Sequence, residues 1–303
     1  MKKHALRTVL ATSDLTEGSE AALRTAAVLA AGEGSGMRLF HCVPRRVPPY
    51  WKGAGNQREQ EERIHSARQE LEQQFHRVLG EDAPPVEIDV AVGIPVQEIA
   101  RFADSIAADV VVLGQHTPRT ALDDLLGTTA DRMIRTSERP CLIAHQAITR
   151  PLEQVMVATD FSKHARKALE TVVDWLAGPL APERRDPPGS AEVNIVHVQA
   201  FATRMYRPFG VDALLEKETE AARRRLPGGS PVTIRASTFS APLEVEGVTA
   251  ATEQFQPDLV VMGTHGYSFV ARTLLGSIAA GVASTVRCPL LLVPLRVRMD
   301  GEG

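Results

Sequence analysis

Aromatic side chains make up only 5% of this 303-residue sequence, and there are three cysteines. Cys42, Cys141 and Cys288 are odd in number, far apart and not arranged as Cys-x-x-Cys, which excludes a disulfide framework and the common zinc and dithiol motifs. No apolar stretch approaches the ~18 residues that span a bilayer, so no membrane segment is expected. A basic excess is also missing. With a net charge of -3 the chain has nothing to draw it to phosphate backbones, and no nucleic-acid partner is expected. The apolar run from Thr8 to Thr12 follows the basic start Met1, Lys2, Lys3 and His4, but it is far shorter than a signal-peptide core and ends in Ser13 and Asp14. It reads as a first buried strand, and a reduced cytoplasmic compartment fits best. Absent too are a G-x4-G-K-S/T phosphate loop, a Ser-Gly-Gly-x-Asp-Ser loop and a His-Ile-Gly-His motif, which speaks against a P-loop enzyme and an adenylating pyrophosphatase.

What is present is a repeat. The segment from Arg7 to Asp14 (RTVLATSD) returns as Gln154 to Asp160 (QVMVATD), and Leu39 to Cys42 (LFHC) returns as Ile195 to Val198 (IVHV). Asp109 to Gly114 (DVVVLG) returns as Asp258 to Gly263 (DLVVMG), and the strand after Arg139 returns after Arg287. Order and spacing are kept, which predicts two domains, residues 1–149 and 150–303, with a seam near Gln146 to Pro151. Continuous apolar runs alternate with 3.6-periodic segments, the pattern of strands buried on both faces of a parallel sheet. The first copy predicts strands near 7–12, 37–43, 86–91, 109–113 and 141–145, and helices near 18–31, 57–79, 96–107 and 127–136. Two tandem doubly wound α/β domains follow, each a five-stranded parallel sheet with about four flanking helices. The Pro-rich stretch from Gly178 to Ser190 reads as a surface loop within the second copy. The run Arg223 to Arg225 follows Glu216 to Glu220 and reads as a solvated helix face with intrahelical pairs.

The most informative spacing lies in the second copy. Gly263 closes a strand, Gly266 follows, and after nine residues Gly276 and Ser277 open a helix, giving G-x2-G-x9-G-S. Glycines let backbone approach a ligand or adopt positive φ, and a helix N-terminus offers unpaired N–H groups to an anion. The plainer alternative is that they serve tight turns. Asp14 and Asp160 are each either a helix N-cap or a ligand contact. His116 and His265, between the glycines, are candidates to donate to a phosphate, whereas His41 and His197 sit in buried strand patterns and read as core groups. No general base beside a nucleophile is legible, so catalysis is not assigned.

These motifs resemble the universal stress protein family, and the resemblance covers nearly the whole chain twice. It implies binding of ATP, or of ADP or AMP, with Mg2+ as accompanying cation, in a stress-response protein whose nucleotide stabilises it or regulates a partner. In the second copy the matching positions are Ala158, Thr159 and Asp160 after the first strand and Val198 where backbone meets adenine. Met262, Gly263, His265, Gly266, Gly276, Ser277 and Ile278 match the phosphate and ribose loop. The first copy carries Asp14, Cys42, Gly114, His116, Gly127 and Thr128, but Thr117 replaces the second glycine, so binding there stays open in both directions. If that position needs positive φ, a β-branched residue costs roughly 1–3 kcal/mol. The resemblance further implies pairing through the last strands, Cys141 to His145 and Pro289 to Val293, as an intramolecular pseudo-dimer, with a homodimer also compatible. A partner-binding scaffold without nucleotide is the competing reading.

Overall fold

A computed structural model describes residues 6–32, 34–45, 57–80, 83–115, 128–201, 210–266 and 275–295. Ten strands form one mixed sheet in the order β3-β2-β1-β4-β5-β10-β9-β6-β7-β8. In the first half these are β1 Thr8–Ser13, β2 Gly36–Pro44, β3 Glu87–Gly93, β4 Val110–Gly114 and β5 Cys141–Ala144, with helices α1 Glu20–Ala30, α2 Gln57–Leu79, α3 Pro95–Ser105 and α4 Thr128–Thr136. In the second half they are β6 Gln154–Ala158, β7 Ala191–Ala200, β8 Val232–Ala241, β9 Leu259–Gly263 and β10 Leu290–Val293, with α5 Lys163–Leu176, α6 Val211–Arg223, α7 Glu244–Phe255 and α8 Ser277–Thr285.

Every neighbouring pair inside a half is parallel. The halves meet where Leu290 to Leu292 pair antiparallel with Ile143 to Cys141. Alternation along each strand sends side chains to two faces, so Val9 and Ala11 join one core and Leu10 the other. Both cores run across the β5–β10 junction, and the joined edges leave no unpaired strand at the centre. Matching carboxylates lock the start of each half-sheet. Asp109 accepts from the Arg7 and Thr8 N–H groups at 2.7 and 2.9 Å, and Asp258 from those of Glu153 and Gln154 at 2.9 Å each. Among the described residues no helix is long and apolar enough to cross a membrane.

Two expectations are corrected here. In the stretch from Gly178 to Ser190, the part from Glu183 to Ser190 is a largely exposed loop, as expected, but the beginning is not: Ala181 and Pro182 are buried, and Pro179 lies so close to Gly32 of the first half that a Cβ there would meet its carbonyl oxygen at 2.5 Å. Proline shape and small side chains, with little apolar periodicity, let this stretch wedge against the other half. The arginine run also splits. Arg224 pairs with Glu220 on a solvated face, but Arg223 donates to the Ile234 carbonyl at 3.0 Å. Arg225 forms a bidentate, buried pair with Asp174 of α5 at 2.8 and 2.6 Å. Removing one partner of such a pair costs about 3–5 kcal/mol, so this arginine belongs to the fold.

Candidate functional site

In each half the strand order reverses between the first and fourth strands, β1 and β4 or β6 and β9. Crevices at such switch points, beyond the strand carboxyl ends, are where doubly wound sheets hold ligands. In the second half a cavity of about 440 Å3 opens there. Its wall includes Ala158, Thr159, Asp160, Val198, Met262, Gly263, His265, Gly266, Gly276, Ser277 and Ile278, so every position singled out in the second copy faces one space. Val196, Val248 and Leu275 add apolar wall, and Glu244 and Arg135 add charge.

The local chemistry explains how these residues come together. Past β6, the Thr159 hydroxyl accepts from the Phe161 N–H at 3.0 Å and donates to buried Glu218 of α6 at 2.9 Å. This bends the chain so that Phe161 takes φ 66°, and Leu15 takes the same value at the matching place in the first half. Bulky residues there cost on the order of 1–3 kcal/mol, so both repeats keep the same strained corner. The helix cap is Ser162, whose hydroxyl accepts from the Ala165 N–H at 3.2 Å. Asp160 therefore does not cap α5: its Oδ1 accepts from the Ser162 N–H at 2.9 Å, closing a turn.

The glycines act by close approach. A Cβ on Gly263 would meet His164 Cβ and backbone carbon at 2.7 Å each, so this glycine lets β9 end against α5. A Cβ on Gly266 would meet Asp160 Oδ2 at 2.6 Å. The positive-φ glycines among the described residues are Gly34, Gly80, Gly210 and Gly229, so the premise of a left-handed second glycine is corrected: Gly266 keeps room beside the Asp160 carboxylate. Gly276 donates from its N–H to the Thr264 carbonyl at 2.9 Å, drawing the two ends of the loop together. It then starts α8 with no side-chain cap, which leaves first-turn N–H groups for an anion at the cavity. His265 accepts from or donates to the Thr264 hydroxyl at 2.9 Å, and its ring lies 5.2 Å from that of His164. Burial, with the His265 ring second, pulls the His164 imidazole below its ordinary value against the opposing Asp160 carboxylate. A Cβ on Gly247 of α7 would overlap the Val198 side chain, so that glycine seats α7 against β7 beside the wall.

The first half is arranged differently. Burial would raise the Asp14 carboxyl, but donation from the Ser19 hydroxyl at 2.5 Å and from the Thr16 hydroxyl and N–H at 2.6 and 3.0 Å outweighs it and lowers the value. Asp14 closes its own turn and is not the cap of α1, a place taken by Ser19. Cys42 is buried, and burial with Glu98 nearby pushes its thiol up to about 11. Gly114 packs against the Gly18 carbonyl. His116, Thr117 and Gly127, and the side chain of Thr128, lie outside the described residues. His41 reads as a core group, its Nδ1 2.8 Å from the Ser13 carbonyl oxygen; His197 Nδ1 lies 2.9 Å from that of Thr159, but its side chain also lines the cavity, so the expectation of a purely core role is corrected there.

Sequence reasoning missed Glu218 and Arg135. Glu218 had a signal, since Gln74 fills the matching place in the first half, binding the Ser13 hydroxyl at 2.5 Å. Arg135 had none, because it reaches the cavity from the other repeat.

The fold and cavity define a class, a tandem doubly wound α/β protein with a ligand-type cavity at a switch point. The sequence model of the universal stress protein family matches residues 5–145 and again 151–294, and the chain belongs to that family. A universal stress protein structure from Archaeoglobus fulgidus is 20% identical, covers 95% of this chain and 98% of its own, and has a TM-score of 0.66. A protein of unknown function from Pseudomonas aeruginosa, PA1789, is 17% identical over 96% of this chain and 93% of its own, with a TM-score of 0.59. Both likenesses speak for the fold. Universal stress protein MJ0577 from Methanocaldococcus jannaschii is 32% identical over 54 residues, 18% of this chain. The chain spans about a third of that relative's length, 33%.

Proposed function

We propose that the second repeat binds an adenine nucleotide, ATP foremost and ADP or AMP by the same contacts, and that occupancy serves a cytoplasmic stress response by stabilising the protein and altering what it pairs with. The observation that carries this reading is the convergence of an apolar wall, a carboxylate and an uncapped helix N-terminus on one cavity of about 440 Å3. Such sizes suit small organic ligands. In this reading Val198 and its apolar neighbours hold the base, Asp160 faces the base or ribose end, and Gly263, His265, Gly266, Gly276, Ser277 and Ile278 surround ribose and phosphates. Among the described residues no cluster of three or more His, Cys, Asp or Glu side chains is placed to hold a metal; Mg2+ accompanying the nucleotide would be held by its phosphates. Nucleotide bound only by the folded form stabilises it by RT ln(1 + [L]/Kd), about 2.7 kcal/mol at a hundredfold excess. The antiparallel β5–β10 contact makes the chain an internal pseudo-dimer in this reading, so ligand-linked stability acts on a paired unit.

For the first repeat, Asp14 Oδ1 accepts from Thr16 and Ser19 much as Asp160 Oδ1 accepts from Ser162, so binding there stays open in both directions. Calorimetric titration with ATP tests the second site. Gly266→Val, whose Cβ would displace Asp160, is expected to abolish most binding while the melting transition persists. Unchanged affinity in that variant removes the site assignment.

A further inference from the structure

One residue of the first repeat, Arg135, stands in the wall of the second repeat's cavity. The antiparallel β5–β10 pairing puts α4 and α8 on the same face, where Met133 and Ile134 share a core cluster with Ala279 and Val282. Arg135 follows Ile134 and leaves that cluster at the cavity. Asp131, one turn earlier, engages one edge of its guanidinium, with Nε 3.0 and 2.9 Å from the two carboxylate oxygens and Nη2 2.8 Å from Oδ1. A guanidinium carries five N–H donors, and the Nη1 edge has no partner among the described residues. The repeat does not reciprocate: Ser284 takes the matching position on α8, and its hydroxyl turns back to the Ala280 carbonyl at 3.1 Å. Among the described wall residues Arg135 is the only permanent cation, set against the carboxylates of Asp160 and Glu244. A polyanion entering this space meets two carboxylates, and Arg135 is the fixed positive charge in the described wall that can answer it.

We propose that Arg135 is a binding residue supplied by the first repeat, pairing through its Nη1 edge with a phosphate of the nucleotide held in the second repeat. This rests on the nucleotide reading above and adds selection for phosphorylated over neutral ligands. It also makes the ligand a bridge between repeats, so occupancy is linked to the integrity of the β5–β10 junction.

The test is titration of the full chain with ATP and, separately, with adenosine. In Arg135→Ala, ATP affinity falls about tenfold, equivalent to about 1.4 kcal/mol, adenosine affinity is unchanged, and Arg135→Lys recovers part of the loss. The Arg135–Asp131 pair is a half-buried i,i+4 contact on one helix, and circular dichroism melting checks that each variant folds. Equal ATP affinity in Arg135→Ala and the unmutated chain overturns this inference and leaves the cavity reading standing, as does an equal loss for adenosine. An unmutated chain that binds neither probe overturns both.

Discussion

Replacing Glu218 by glutamine is expected to stabilise the protein. Glu218 is 5% exposed; its Oε2 accepts from the Thr159 hydroxyl, and its Oε1 is buried with no hydrogen-bond partner. Burial raises the carboxyl's pKa, the Thr159 hydroxyl and Arg166 oppose, and Asp160 raises it further. The first repeat holds the neutral solution to the same problem. Gln74 accepts from the Ser13 hydroxyl at 2.5 Å and donates from Nε2 to the Thr16 carbonyl at 2.9 Å. Glu218→Gln keeps the Thr159 bond and offers a donor to the Ser162 carbonyl, which matches that of Thr16. An unsatisfied buried group costs ~1–3 kcal/mol and a new hydrogen bond contributes ~1 kcal/mol, so a net gain of about 1–2 kcal/mol is expected at pH 7.5. For a repeat of this size that is a rise of about 2–4 °C in melting temperature per kcal/mol. The sign with pH follows from linkage. The folded state binds more protons than the unfolded one above the ordinary value of 4.5, so wild-type stability declines as pH rises through the window from 4.5 to the raised folded value. The advantage of glutamine therefore widens from pH 4 upward. Circular dichroism melts at pH 4 and 7.5 read it; a less stable variant at pH 7.5, or an advantage independent of pH, refutes the reasoning.

Three other outcomes are expected. His145 at the β5–β10 junction is pushed down to about 4, by burial first and by the Arg287 cation second. Its contribution is complete above pH 6.5 and lost as pH falls toward 4, so His145→Gln flattens the melting-temperature curve across that window, and an unchanged slope counts against it. Ala107 closes α3 with φ 53°. Left-handed geometry costs alanine ~1–2 kcal/mol and glycine's entropy takes back ~0.5–1, so Ala107→Gly gains about 0.5–1 kcal/mol in denaturant titration, and a destabilised variant contradicts this. Gly266→Ala, which asks Asp160 to move without adding Val's bulk, weakens ATP binding less than Gly266→Val; equal loss in both points to the first carbon alone.

The repeat made most of the fold legible. Apolar runs placed each first-copy strand within two residues of its observed bounds, and α2 spans Gln57–Leu79 as its periodicity predicts. The cavity-facing positions of the second copy were legible for other reasons: a glycine spacing marked Gly263, Gly266, Gly276 and Ser277, and the family resemblance added Ala158, Thr159, Asp160 and Val198. Legibility failed where partners are distant. Glu218 meets Thr159 across 59 residues, and Arg225 meets Asp174 across 51. The spacing of Gly266 was readable, but its reason, room beside Asp160 rather than positive φ, needed the neighbour's position. Strain at Leu15 and Phe161 was invisible because neither residue type announces a left-handed corner.

The central claim is that the second repeat holds an adenine nucleotide. Its most direct measurement is to denature freshly purified protein, separate released adenine nucleotides by chromatography, and titrate the emptied chain with ATP calorimetrically. The account predicts about one site per chain, lost in Gly266→Val. No released nucleotide and no binding heat at several temperatures would contradict it.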